Sequence, residues 1–168
     1  PDTIDSYDTL AKAESLGLEA TTSSSLDGLG PYKYVVITSA SHAGYSGENS
    51  FQALCDSKIT RGITAGIVTT EWIAANYDGT KPSGGSDIQT QIRNFLIDAY
   101  ETWGTEFALL AGDNDIIPAR FFYTTIEDIA ADLYYGCVDP PECTFDDNGN
   151  GIYGERNDGY DGVTHGKI

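Results

Sequence analysis

The sequence predicts an α/β fold, a three-layer arrangement in which a parallel sheet carries helices on both faces. Three short apolar runs have the length and composition of strands buried on both faces: Tyr34-Val35-Val36-Ile37-Thr38, Ala65-Gly66-Ile67-Val68-Thr69-Thr70 and Phe107-Ala108-Leu109-Leu110-Ala111. Between them lie segments whose apolar residues recur at helical spacing. Strand, helix, strand, helix, strand is the alternation of parallel strands joined by right-handed crossovers.

Taken in order, residues 1–33 read as an N-terminal extension or linker, with Leu10, Ala13 and Leu16 spaced for a short helix over Ser6 to Leu18 and linker-like Thr21 to Ser25. The α/β unit follows over 34–168. After the first strand, the Gly- and Ser-rich stretch Ser39 to Asn49 reads as a loop. Phe51, Leu54, Cys55 and Ile59 then mark a helix that Gly62 ends in the C′ manner. Past the second strand, the stretch Asn76 to Gly85 contains the breaker cluster Lys81-Pro82-Ser83-Gly84-Gly85. Ser86 with Gln89 predicts a capping box for the next helix. Its stripe runs through Ile88, Ile92, Phe95, Leu96, Ala99, Tyr100 and Trp103 to Gly104. The third run is expected as a buried strand. Ile117-Pro118 marks a turn and Phe121-Phe122-Tyr123 a short strand. Beyond Asp132 the chain reads mostly as loop, with Val163 to Ile168 opening another strand.

The length of 168 residues suits one compact domain. A formal net charge of −17 repels phosphates and anionic headgroups, which argues against nucleic acid and membrane surfaces as partners. No apolar stretch approaches the roughly 20 residues that cross a bilayer. The chain begins with Pro1 and contains no methionine, which reads as a processed product or an excised piece. The charge fits cation binding, an extracellular life at high salt, or simple solubility. Its placement favours cations, because Asp139, Glu142, Asp146, Asp147, Glu155, Asp158 and Asp161 stand against the single cation Arg156. Cys137 and Cys143 bracket a short segment with two prolines, spaced for a local disulfide in an oxidising compartment. Free thiols or a zinc ligand pair are the alternatives, and Cys55 sits on an apolar helical face as a core thiol.

The stretch Asp146-Asp147-Asn148-Gly149-Asn150-Gly151 fits the pattern D-x-[DN]-x-[DN]-G. Oxygen side chains at alternate positions converge on one centre, and Gly151 permits the sharp turn between them. Asp146, Asn148, Asn150 and the carbonyl of Ile152 are the expected ligands, and oxygen-only ligands suit Ca2+. The twelfth position is Asn157 where an EF-hand has Glu, so the closing carboxylate falls to Glu155, Asp158 or Asp161. The calcium-type loop thus spans 146–161. The plain alternative is an acidic Asn-Gly turn that binds nothing.

Other candidates are weaker. The loop around His42 lacks the P-loop and dinucleotide glycine spacings, and no G-x-S-x-G elbow occurs. His42 and His165 have no visible nucleophile beside them. Asp113, at the end of the third strand, is either placed for chemistry or caps the turn that follows.

The ordered set Tyr34 to Thr38, Lys58 to Gly62, Ile92-Arg93-Asn94-Phe95, Leu109-Leu110-Ala111-Gly112-Asp113, Ile117-Pro118-Ala119 and Asp132-Leu133-Tyr134-Tyr135 resembles gingipain-like cysteine peptidases, peptidase family C25. Asp146 to Glu155 and the closing Gly166-Lys167-Ile168 extend the likeness, which covers roughly 33–168. The resemblance implies a caspase-like or flavodoxin-like subdomain, the first of two in a secreted or surface-bound endopeptidase acting on protein and peptide substrates. It implies a His-Cys dyad in which the Cys thiolate attacks the scissile carbonyl, and it agrees with calcium binding. That dyad would be supplied by a second catalytic subdomain: the family's Gly-His-Gly segment and strand-end Cys match none of His42, His165, Cys55, Cys137 or Cys143, so no catalytic residue is assigned here. A non-catalytic calcium-binding adhesion module is the second expectation, and an independent hydrolase using His42 or Asp113 the third.

Overall fold

The computed structural model describes residue 26 and residues 28–138, 144–155 and 158. Strand β1 (Tyr34–Thr38) lies at the centre of a parallel sheet between β2 (Ala65–Thr69) and β3 (Phe107–Leu110), in the order β2-β1-β3. Tyr34 stands opposite Ala65 and Phe107, and Ile37 opposite Val68 and Leu110. Alternation along the strands sorts their side chains between two faces. Val35, Ile37 and Val68 join the larger core with Ile73, Ile92, Phe95 and Leu96. Val36, Ala65 and Ala111 turn to the opposite face and meet Cys55. Helices therefore cover both faces, as the sequence predicts.

Helix α1 (Ala40–Ala43) is a short turn inside the stretch expected as loop. Helix α2 (Phe51–Thr60) starts where the Ser50 hydroxyl accepts the amide of Ala53, and Gly62 ends it at φ +84°. Helix α3 (Thr70–Asn76) was not expected from the sequence. Thr70, read as strand, is its first residue, because the Thr69 hydroxyl accepts the amide of Trp72 at 3.2 Å and Ile73 turns into the core.

Helix α4 (Ile88–Asp98) continues into a π-helical turn (Ala99–Trp103), which Gly104 ends at φ +66°. Its cap is Asp87, a correction to the capping box expected from Ser86. The Asp87 carboxylate accepts the amide of Thr90 at 2.8 Å, while Ser86 pairs across the preceding loop with Thr80. Within α4, Phe95 is fully buried and meets Trp72, Tyr77 and Trp103 edge-on at ring distances of 6.3, 5.6 and 5.9 Å. These contacts fasten α4 to α3.

Strand β3 corrects a second expectation. Its apolar run reads as fully buried, yet Phe107 is 53% exposed and the next three residues are half-buried. The reason is position, since among the described residues β3 pairs only with β1 and is an edge of the sheet. Strand β4 (Phe121–Phe122) pairs antiparallel with β5 (Ile129–Ala130), and helix α5 (Leu133–Gly136) follows where loop was expected, burying Tyr134 and Tyr135.

Leu26 and Leu29 reach the larger core, and the Tyr32 ring lies against Gly66 on β2, where a β-carbon would stand 2.3 Å from it. The expected helix over Ser6 to Leu18 and the expected strand over Val163 to Ile168 lie outside the described residues. No helix among the described residues is long and apolar enough to cross a membrane.

Candidate cation site

The acidic loop hangs from two buried aromatic residues. Phe145 packs on Phe122 at 4.7 Å and on Tyr134 at 6.2 Å, and Tyr134 meets Tyr153 edge-on at 5.7 Å. The Gly154 amide donates to the Phe145 carbonyl at 2.7 Å, which closes the loop, and the Tyr123 amide donates to the Tyr153 carbonyl at 2.8 Å. Phe145 adopts φ +59°, an unfavourable conformation for a bulky residue that its packing sustains.

Between these anchors side-chain oxygens accept main-chain amides of the loop. The Gly151 amide donates to Asp146 Oδ1 at 3.1 Å, the Asn150 amide to Asn148 Oδ1 at 2.9 Å, and the Ile152 amide to Asn150 Oδ1 at 2.7 Å. Gly149 and Gly151, at φ +69° and +82°, make the sharp turn possible. The side-chain amides of Asn148 and Asn150 both donate to Glu155 Oε2, at 3.4 and 2.5 Å, and the Glu155 amide donates to Asp158 Oδ2 at 2.9 Å.

Four of the seven expected ligands are thus brought into one chain of contacts, Asn148, Asn150, Glu155 and Asp158, while Asp146 is tied to the same loop through the Gly151 amide. Ile152 follows on the same loop with its side chain 44% exposed, and Asp161 lies outside the described residues. Asp147 is turned to the Thr144 hydroxyl instead.

Two atoms stand out. Asp146 is fully buried and Asp158 is 4% exposed, yet Asp146 Oδ2 and Asp158 Oδ1 have no hydrogen-bond partner. A buried carboxylate oxygen without a donor is costly, and such groups are rare. A hard cation is the kind of partner that such an oxygen accepts. Among the described residues no three His, Cys, Asp or Glu side chains gather closely enough to hold a metal. The side chains of this loop offer carboxylate and amide oxygens, a chemistry that suits calcium better than zinc or copper.

Behind the loop lies a cation that sequence reading missed. Arg120 Nη2 donates to both carboxylate oxygens of Asp87 at 2.9 Å, with the guanidinium over the rings of Tyr134 at 4.5 Å and Tyr153 at 4.1 Å. Burial, with Arg120 opposing it, pushes the Tyr153 hydroxyl up to about 12. Burial also works against the charge on Asp87, but bonds from Thr90 and the Arg120 cation outweigh it and hold the carboxyl below its ordinary value. A carboxyl depressed in the fold contributes stability that is fully present above its unfolded pKa of about 3.9 and is lost as pH falls through the lowered value. An acid titration of the melting temperature should therefore fall more steeply for the parent than for Asp87→Asn.

The remaining candidates resolve as structural groups. Asp113 Oδ1 accepts the amide of Asp115 at 3.2 Å, which is the capping role. His42 is exposed and its Nδ1 lies 2.8 Å from the Ser39 hydroxyl, which also caps α1. Cys55 is buried and free, with its thiol pushed up by burial and by Asp56. Cys137 is disulfide-bonded, and Cys143, the expected partner, lies outside the described residues.

Parallel strands in the order β2-β1-β3, with helices on both faces, define a doubly wound α/β domain. Within that class, the family model of Peptidase family C25 matches residues 28–161, and the chain belongs to that family. It is a gingipain-like cysteine peptidase domain, as the ordered segments suggested. No curated protein and no solved structure matches the chain.

Proposed function

We propose that the chain forms the N-terminal subdomain of a secreted gingipain-like cysteine endopeptidase, with Ca2+ held in the acidic loop and the His-Cys dyad supplied by a second subdomain. The observation that carries the calcium reading is that two carboxylates of this loop, Asp146 and Asp158, each keep one buried oxygen without a hydrogen-bond partner. Bound Ca2+ would supply positive charge to these oxygens and hold the turn in place. The disulfide at Cys137 supports secretion, because such bonds persist in oxidising compartments.

Catalysis by this chain alone has little physical support. A cysteine nucleophile needs its thiolate, and burial raises the pKa of Cys55. The exposed His42 is bonded to Ser39. Folded chain should therefore leave a mixed peptide library uncut, and Cys55 should resist iodoacetamide until urea unfolds the protein. Turnover by the isolated chain, abolished by Cys55→Ser or His42→Ala, would contradict the division of labour proposed here.

A further inference from the structure

We infer that Arg120 couples the acidic loop to the N-terminus of α4, so that cation binding in the loop tightens a helix cap far away in sequence; this rests on the cation reading above. One side of the coupling is Asp87. Its Oδ1 takes the Thr90 amide at 2.8 Å and an Arg120 N–H at 2.9 Å, and its main-chain carbonyl takes the Gln91 amide at 3.3 Å. The other side is Tyr153, whose ring lies 4.1 Å from the guanidinium and whose carbonyl holds the Tyr123 amide. Arg120 is 8% exposed and wedged between Tyr153 and Tyr134, and the Tyr134 hydroxyl lies 3.1 Å from that of Thr90.

The wedge is incompletely satisfied. Arg120 Nε and the Tyr153 hydroxyl are buried without hydrogen-bond partners, and the Asp146 carboxylate acts on the Tyr153 hydroxyl electrostatically. A loop that gains a cation holds Tyr153 more firmly, and the ring holds the guanidinium on Asp87. A second contact runs parallel, since a β-carbon at Gly149 would stand 3.2 Å from the Pro82 carbonyl in the segment leading to α4. Arg120 is the link that bonds the Asp87 carboxylate, while the Tyr134 hydroxyl reaches Thr90 in the first turn of α4.

Coupling is reciprocal, so a change at Arg120 must also alter cation affinity. Arg120→Lys keeps the charge and loses the planar stacking and forked bonding. Asp87→Asn with Arg120→Met removes the pair together and leaves no uncompensated charge, which guards against simple unfolding. Amide exchange is followed with Ca2+ and with chelator. In the parent, Ca2+ should slow exchange in 146–155 and also at Thr90 and Gln91, the latter by about fivefold or more. In both variants the loop should still be slowed, the effect at Thr90 and Gln91 should vanish, and Ca2+ should bind Arg120→Lys about fivefold more weakly. Slowing confined to the loop in the parent, or retained at Thr90 and Gln91 in both variants, overturns the coupling alone. No slowing anywhere overturns the cation reading, and the coupling with it.

Discussion

Phe95→Ala is expected to destabilise the domain by about 3–5 kcal/mol, the cost of truncating a buried aromatic side chain. Phe95 is fully buried, and the edge contacts to Trp72, Tyr77 and Trp103 make it the joint between α3, α4 and the π-helical turn. Each such aromatic pair adds about 0.5–1.5 kcal/mol beyond burial, so repacking after truncation recovers little. A loss of this size is a large share of the roughly 5–15 kcal/mol that stabilises a typical domain. Urea unfolding followed by tryptophan fluorescence measures it directly. Phe95→Leu should lose much less, because an aliphatic side chain refills most of the volume.

Asp146→Asn should have opposite consequences with and without calcium. The Asn side chain keeps an oxygen to accept the Gly151 amide, as Asp146 Oδ1 does at 3.1 Å, and removes the buried charge whose second oxygen has no partner. In chelator the variant should be as stable as the parent or more so. With Ca2+ a hundredfold above its dissociation constant, the parent should gain about 2.7 kcal/mol, or about 5–10 °C in melting temperature. The variant should gain almost none of it. Equal gains in both proteins would remove Asp146 from the ligand set.

Much of this was legible in the sequence, for local reasons. The strands announce themselves by continuous apolar runs, and the loop by oxygen-bearing residues at alternate positions ahead of Gly151. What stayed hidden depends on partners distant in the chain. Ser86 and Asp87 are both good caps, and Arg120, 33 residues on, holds Asp87 in that role. Phe107 to Leu110 reads as buried because residue type reports apolarity and not whether a neighbouring strand covers the edge. Helix α3 was missed because it begins without a turn, directly after the last residue of β2, which caps it. In the site, spacing alone gathered Asp146, Asn148 and Asn150. Spacing could not rank Glu155 against Asp158; Asp158 is the more buried of the two and keeps one oxygen without a hydrogen-bond partner.

The calcium reading is tested most directly by calorimetric titration of the metal-free chain with CaCl2, with Asp146→Asn as the control. Saturable binding of about one Ca2+ per chain by the parent, with the control much weaker, is the predicted result. No saturable heat from the parent at millimolar Ca2+, in protein that melts cooperatively, would contradict it.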